Sequence, residues 1–179
     1  MGAYEKATEL AEKFHLPLAV QEQAAIAALL HDCAKLMNSR ELFQECDRFG
    51  IQLDELDRST PNTLHPFVGA ELVKEKFNIE DPTILNAIRY HTTGREGMDI
   101  VEKLVFIADK IEGNTRNPLY IQKMTASLDF RHCETLDLTM LYILDSTISY
   151  LMDKRLIIHP RTIAARNDFV TRLRAENRL

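Results

Sequence analysis

Apolar residues recur along this chain at the three- and four-residue spacing of a helix face, and no segment alternates over a strand's length. No NG or DG turn joins two apolar runs. The pattern predicts an amphipathic helix over residues 3–14, stopped around His15, Leu16 and Pro17. Residues 21–37 carry the unbroken apolar run Ala24-Ala25-Ile26-Ala27-Ala28-Leu29-Leu30, and are expected to form the central buried helix. Ser39 suits the N-cap of a helix reaching Phe49, with Gly50 as its stop, and the polar residues 53–63 read as a loop. Pro66 and Pro82 fit the first turns of two further helices, the second running to about His91 and ended by Thr92-Thr93-Gly94. Asp99 opens a helix to about Glu112; a short one follows Pro118, a long one spans about 134–154, and a last one starts at Pro160. The fold class expected is all-α.

Length and composition narrow this picture. At 179 residues, with no repeat, low-complexity stretch or linker, residues 1–179 read as a single compact domain. A hydrophobic fraction of 45% argues against disorder. A net charge of -5 argues against a long nucleic acid as partner, because neutralising many phosphates calls for the opposite sign. No apolar run is long enough to span a membrane, and the N-terminus lacks a signal-peptide core. Cys33, Cys46 and Cys133 are odd in number and far apart, which suits the reducing cytoplasm and points to neither a disulfide framework nor a thiolate zinc site. A homodimer is a reasonable expectation for an enzyme of this size.

The informative residues are polar ones in costly places. His31 and Asp32 directly follow seven apolar residues, and a carboxylate there must be paired, hydrogen-bonded or metal-bound. His91 lies on the apolar stripe of Ile84 and Ile88, His65 precedes a helix start, and Asp109 borders the stripe Val101, Val105, Ala108. Taken singly, each has a plainer reading. Asp32 can pair with Lys35, His91 can be a cation at a helix C-terminus, His65 can cap a turn, and Asp109 can pair with Lys110 or Arg116. Taken together, His-Asp, His, His and Asp are the imidazole and carboxylate ligands that hold divalent ions in hydrolytic centres. His15, His132 and His159 have no comparable setting, the last reading as a residue that shapes the turn before Pro160.

The ordered set LLHDCAK, LHPFVGAEL, YHTTGR and IADKIE, with IIHPRT further on, resembles the HD-domain metal-dependent phosphohydrolases. Within them it is most similar to the symmetrical bis(5'-nucleosyl)-tetraphosphatases, over most of the chain. The resemblance implies an all-helical HD fold and hydrolysis of diadenosine tetraphosphate to two ADP by a metal-activated water. Iron is the implied metal, one or two ions, with manganese or another divalent ion as a substitute. His31, Asp32 and Asp109 match the family's primary metal ligands. His65 and His91 match further histidines that hold a second metal or contact substrate phosphates, and with Asp32 they form the implied catalytic set. Lys35, Thr92, Arg95 and Arg116 match polar positions around the nucleotide, as does Thr162 in the HPRT segment. The family pattern opens with one more ligand histidine; aligning Gly2 with its first glycine puts that residue before Met1, so the first helix is expected to start after it. Two other readings stand beside this one: an HD-type nucleotidase or nucleoside triphosphate hydrolase, and a nucleotide-binding domain with weakened or no catalysis.

Overall fold

A computed structural model describes residues 2–113 and 117–179, and among these the chain forms ten α-helices, one 3-10 turn and no strand. The helices are α1 (Gly2–Lys13), α2 (Leu18–Leu30), α3 (Ser39–Phe49), α4 (Glu55–Ser59), α5 (His65–Phe77), α6 (Pro82–Tyr90), α7 (Ile100–Ile111), α8 (Pro118–Thr125), α9 (Thr135–Asp153) and α10 (Pro160–Ala175). The all-α expectation holds.

The helix starts follow local chemistry. Asp99 caps α7 by accepting from the Glu102 N–H, while the Glu102 carboxylate accepts from the Asp99 N–H, so two otherwise orphaned donors are satisfied reciprocally. Asn38, one residue before the expected Ser39, caps α3 in the same way with Glu41. Proline occupies the first turns of α5, α6, α8 and α10. Gly50 ends α3 at φ 68°, in the left-handed region that glycine enters without a steric penalty.

Two expectations are corrected. The apolar stretch at 21–37 is not one buried helix. α2 ends at Leu30, residues 31–36 are turns, and Leu29 and Leu36 are 58% and 99% exposed. The central element is α7, whose Leu104, Val105, Phe106, Ile107 and Ala108 are fully buried and which packs on α1, α2, α6, α8 and α9. Residues 53–63 are not all loop either. Asp54 and Asp57 form a capping box that opens α4, and the 3-10 turn Pro61–Thr63 delivers the chain to α5.

The main core unites α7 with α1, α2, α6, α9 and α10; a smaller apolar cluster, including Leu42, Cys46, Val68 and Leu72, joins α3 to α5. Gly94 turns the chain off α6 at φ 69°, its N–H bonding the Tyr90 carbonyl at 2.8 Å. A Cβ at Gly94 would lie 3.1 Å from the Ala165 methyl, so a side chain here would push α10 away by a few tenths of an ångström as well as strain the backbone.

Candidate metal centre

Four helix ends meet at one place. His31 follows the last residue of α2, His91 the last residue of α6, Asp109 lies in the last turn of α7, and His65 is the first residue of α5. Three of these are C-terminal ends, where unpaired carbonyls carry partial negative charge and favour a cation. All three histidines are buried, while the Asp32 side chain keeps 28% of its surface open to solvent.

The rings are oriented by the main chain. Each Nδ1 donates to a carbonyl: His31 to Ala28 at 2.7 Å, His65 to Asn62 at 2.6 Å and His91 to Ile88 at 2.7 Å. A carbonyl only accepts, so a proton resides on each Nδ1 and each Nε2 is turned inward, where it offers a lone pair whenever its ring is neutral. The Nε2 atoms of His65 and His91 face each other at 3.3 Å. Asp32 sits between the rings with its oxygens divided. Oδ2 lies 3.2 Å from His31 Nε2, and Oδ1 lies 3.4 Å and 3.5 Å from the Nε2 atoms of His65 and His91. Asp109 Oδ1 lies 3.5 Å from His31 Nε2.

Whether this set suits an ion is decided by atoms that nothing else satisfies. His31 Nε2 and Asp32 Oδ1 are buried without a hydrogen bond, a costly state for polar atoms in a folded core. Ligand atoms of His31, Asp32 and His91 all lie within 4.8 Å of one another, close enough to hold a divalent metal ion. The donors are imidazole and carboxylate with no thiolate, as suits zinc or first-row ions of intermediate hardness.

The same crowding sets the charges. Burial works against a charged His31, but the Asp109 and Asp32 carboxylates that face its Nε2 outweigh it and raise its pKa from 6.5 to about 9. His91 goes the other way: burial dominates and lowers it to about 4, so its ring is neutral. Asp32 and Asp109 resist the pull of burial toward the neutral acid and are held well below the usual carboxylate range, Asp32 by the histidines and Lys35, Asp109 by Lys110 and His31.

The structure therefore brings together His31, Asp32, His65, His91 and Asp109. Lys35 joins them through Asp32, with Nζ 2.5 Å from Oδ2. Lys110, which sequence reasoning passed over as an ordinary partner for Asp109, stands 2.6 Å from Asp109 Oδ2. Arg95 is not brought to the cluster. Its guanidinium makes two 2.7 Å bonds to the fully buried Glu102, seven residues and about 10 Å along α7 from Asp109. Thr92 is half-buried directly after His91, Thr162 is buried in the first turn of α10, and neither hydrogen-bonds the cluster. Arg116 lies outside the described residues. His159 does more than shape a turn: its Nδ1 accepts from the Arg161 N–H to cap α10, and its Nε2 is 3.7 Å from buried Asp57.

A family model described as HD domain matches residues 1–114. A solved structure from Clostridium acetobutylicum, described as a predicted HD superfamily hydrolase involved in NAD metabolism, superposes with a TM-score of 0.86. It is 33% identical, and the match covers 96% of this chain and 86% of that one. The chain belongs to the HD-domain family. Within that family its relatives include two proteins named bis(5'-nucleosyl)-tetraphosphatase, symmetrical. The one from Bacillus subtilis is 35% identical over 172 residues, 96% of this chain and 87% of that one. The one from Halalkalibacterium halodurans is 33% identical over 170 residues, 95% of this chain and 86% of that one. No helix among the described residues is long and apolar enough to cross a membrane.

Proposed function

We propose that this protein hydrolyses diadenosine tetraphosphate to two ADP at the His31, Asp32, His65, His91 and Asp109 cluster, with iron as the resident metal and manganese able to replace it. The observation that carries the reading is the pair of orphaned buried ligand atoms, His31 Nε2 and Asp32 Oδ1, within a cage of inward-turned imidazoles. A divalent ion held there supplies Lewis acidity and makes water acidic enough to serve as a nucleophile near neutral pH.

His31, Asp32 and Asp109 would hold the ion; Asp32 turns Oδ2 toward His31 and Oδ1 toward His65 and His91, the residues that would hold a second ion. With one ion bound, those two histidines face the substrate phosphates instead. Lys35 and Lys110, each on a ligand carboxylate, offset the negative charge of a polyphosphate approaching through the open side of Asp32. The water oxygen bonds to one of the two central phosphorus atoms as the central P–O–P linkage breaks: the attacked half becomes one ADP, the other half leaves with the bridging oxygen as the second, and the water's protons pass to solvent. Thr92, Arg116 and Thr162 are assigned to the nucleotide on family resemblance, whereas Arg95 braces the loop after His91 through Glu102.

The test is ADP release from diadenosine tetraphosphate with added ferrous or manganous ion. ADP is expected as the sole nucleotide product, and Asp32→Ala is expected to reduce turnover to background. Unchanged turnover in that variant, or ATP with AMP as products, overturns the reading.

A further inference from the structure

We propose that the cavity framed by the end of α7, by α8 and by the second half of α9 receives one of the two nucleosides of a dinucleoside polyphosphate, with Tyr150 and Tyr120 as walls for its base. This rests on the function proposed above. Cleavage at the middle of a symmetrical substrate leaves a nucleoside on either side of the ion cluster, and each needs a place to lie.

The cavity measures about 610 Å³, within the range that encloses small organic ligands. It adjoins the cluster through one residue: the Lys110 side chain lines it, and Lys110 Nζ is 2.6 Å from Asp109. A cation thus stands at the end where a phosphate chain would enter. Beyond it come two tyrosines, Leu151 and the short polar side chains of Asn117, Ser146 and Thr147, with no carboxylate on the wall among the described residues. Flat aromatic faces with a few hydrogen-bonding groups are what a nucleobase requires. Tyr150 is 57% exposed at this edge, and among the described residues its ring meets no other ring and no cation.

Two other cavities serve less well. One of about 400 Å³ beside Cys33 is lined by Glu41 and Glu45, which repel a polyphosphate. Another of about 560 Å³, on the far side of Tyr150, carries Asp145 and Asp153 against a single Lys123.

The experiment compares diadenosine tetraphosphate with adenosine 5'-tetraphosphate, which has one nucleoside. In Tyr150→Ala, KM for the two-nucleoside substrate is expected to rise about tenfold, the loss of one stacked base, with kcat within about twofold of the parent. Values for the one-nucleoside compound are expected to stay at those of the parent, and Tyr150→Phe to restore the parent KM. A calorimetric titration of both compounds into the metal-free protein is expected to give the same selective weakening without any turnover. If the parent hydrolyses neither compound, the function proposed above fails, and the titration still decides on the cavity. Equal effects of Tyr150→Ala on the two compounds, or no effect on either, overturn the assignment.

Discussion

His31 shows how one residue binds the site to pH. Its raised pKa, about 9, means that the ion-free protein carries an imidazolium there at neutral pH. The charged ring between Asp32 and Asp109 stabilises the ion-free fold fully below the ordinary value of 6.5, and that contribution is lost as pH rises through about 9. An ion must displace this proton. Ion binding at neutral pH is therefore expected to release about one proton, and affinity to fall about tenfold per unit as pH drops below 9. Calorimetry in buffers of different ionisation enthalpy measures the release; an ion that binds at neutral pH without releasing a proton contradicts the geometry. His31 and His91 were legible in the sequence because each sits where a solvated residue would not be placed, whereas His65, at a helix start, stood out only when the set was taken together. Lys110 was not, since a lysine next to an aspartate reads as a surface pair until the fold shows that it is 15% exposed.

At the scale of the element, the Arg95–Glu102 pair joins the loop after α6 to the start of α7. Glu102 has no exposed side-chain surface, and its burial pushes its pKa up against the pull of Arg95. Arg95→Met leaves that buried carboxylate without its cation and with only the Asp99 N–H, and urea denaturation is expected to show a loss of about 3 kcal/mol, reduced in the double variant Arg95→Met with Glu102→Met. A loss under about 0.5 kcal/mol would place the pair among ordinary surface ion pairs. Helix ends were largely readable, because Gly50, Pro82, Pro118 and Pro160 punctuate the chain by backbone geometry alone. α4 was missed because its only signal, the Asp54–Asp57 capping box, is polar and carries no apolar period. The run at 24–30 misled in the opposite way: apolar residues on every side name no buried face, and α7, with its clear stripe, became the centre.

For the molecule as a whole, the ligands come from the ends of α2, α5, α6 and α7, so an ion fastens together four elements that also meet in the core. An ion at a hundred times its dissociation constant is expected to add about 2.7 kcal/mol of stability. Scanning calorimetry with manganous ion against a chelator checks this, and coincident melting curves would count against binding at these ends. Convergence of positions 31, 65, 91 and 109 was legible only through family resemblance, because hydrophobic periodicity places residues on faces and says nothing of which helix ends meet. The tyrosine-walled cavity was not legible at all, since Tyr120 and Tyr150 lie on separate helices. The aim of the three imidazoles is fixed by peptide oxygens at Ala28, Asn62 and Ile88. Because every amino acid carries that oxygen, replacing the side chains of Ala28, Asn62 or Ile88 does not delete the acceptors that steer the rings. Sequence drift can alter what surrounds the centre while the direction of its ligands is inherited from the backbone.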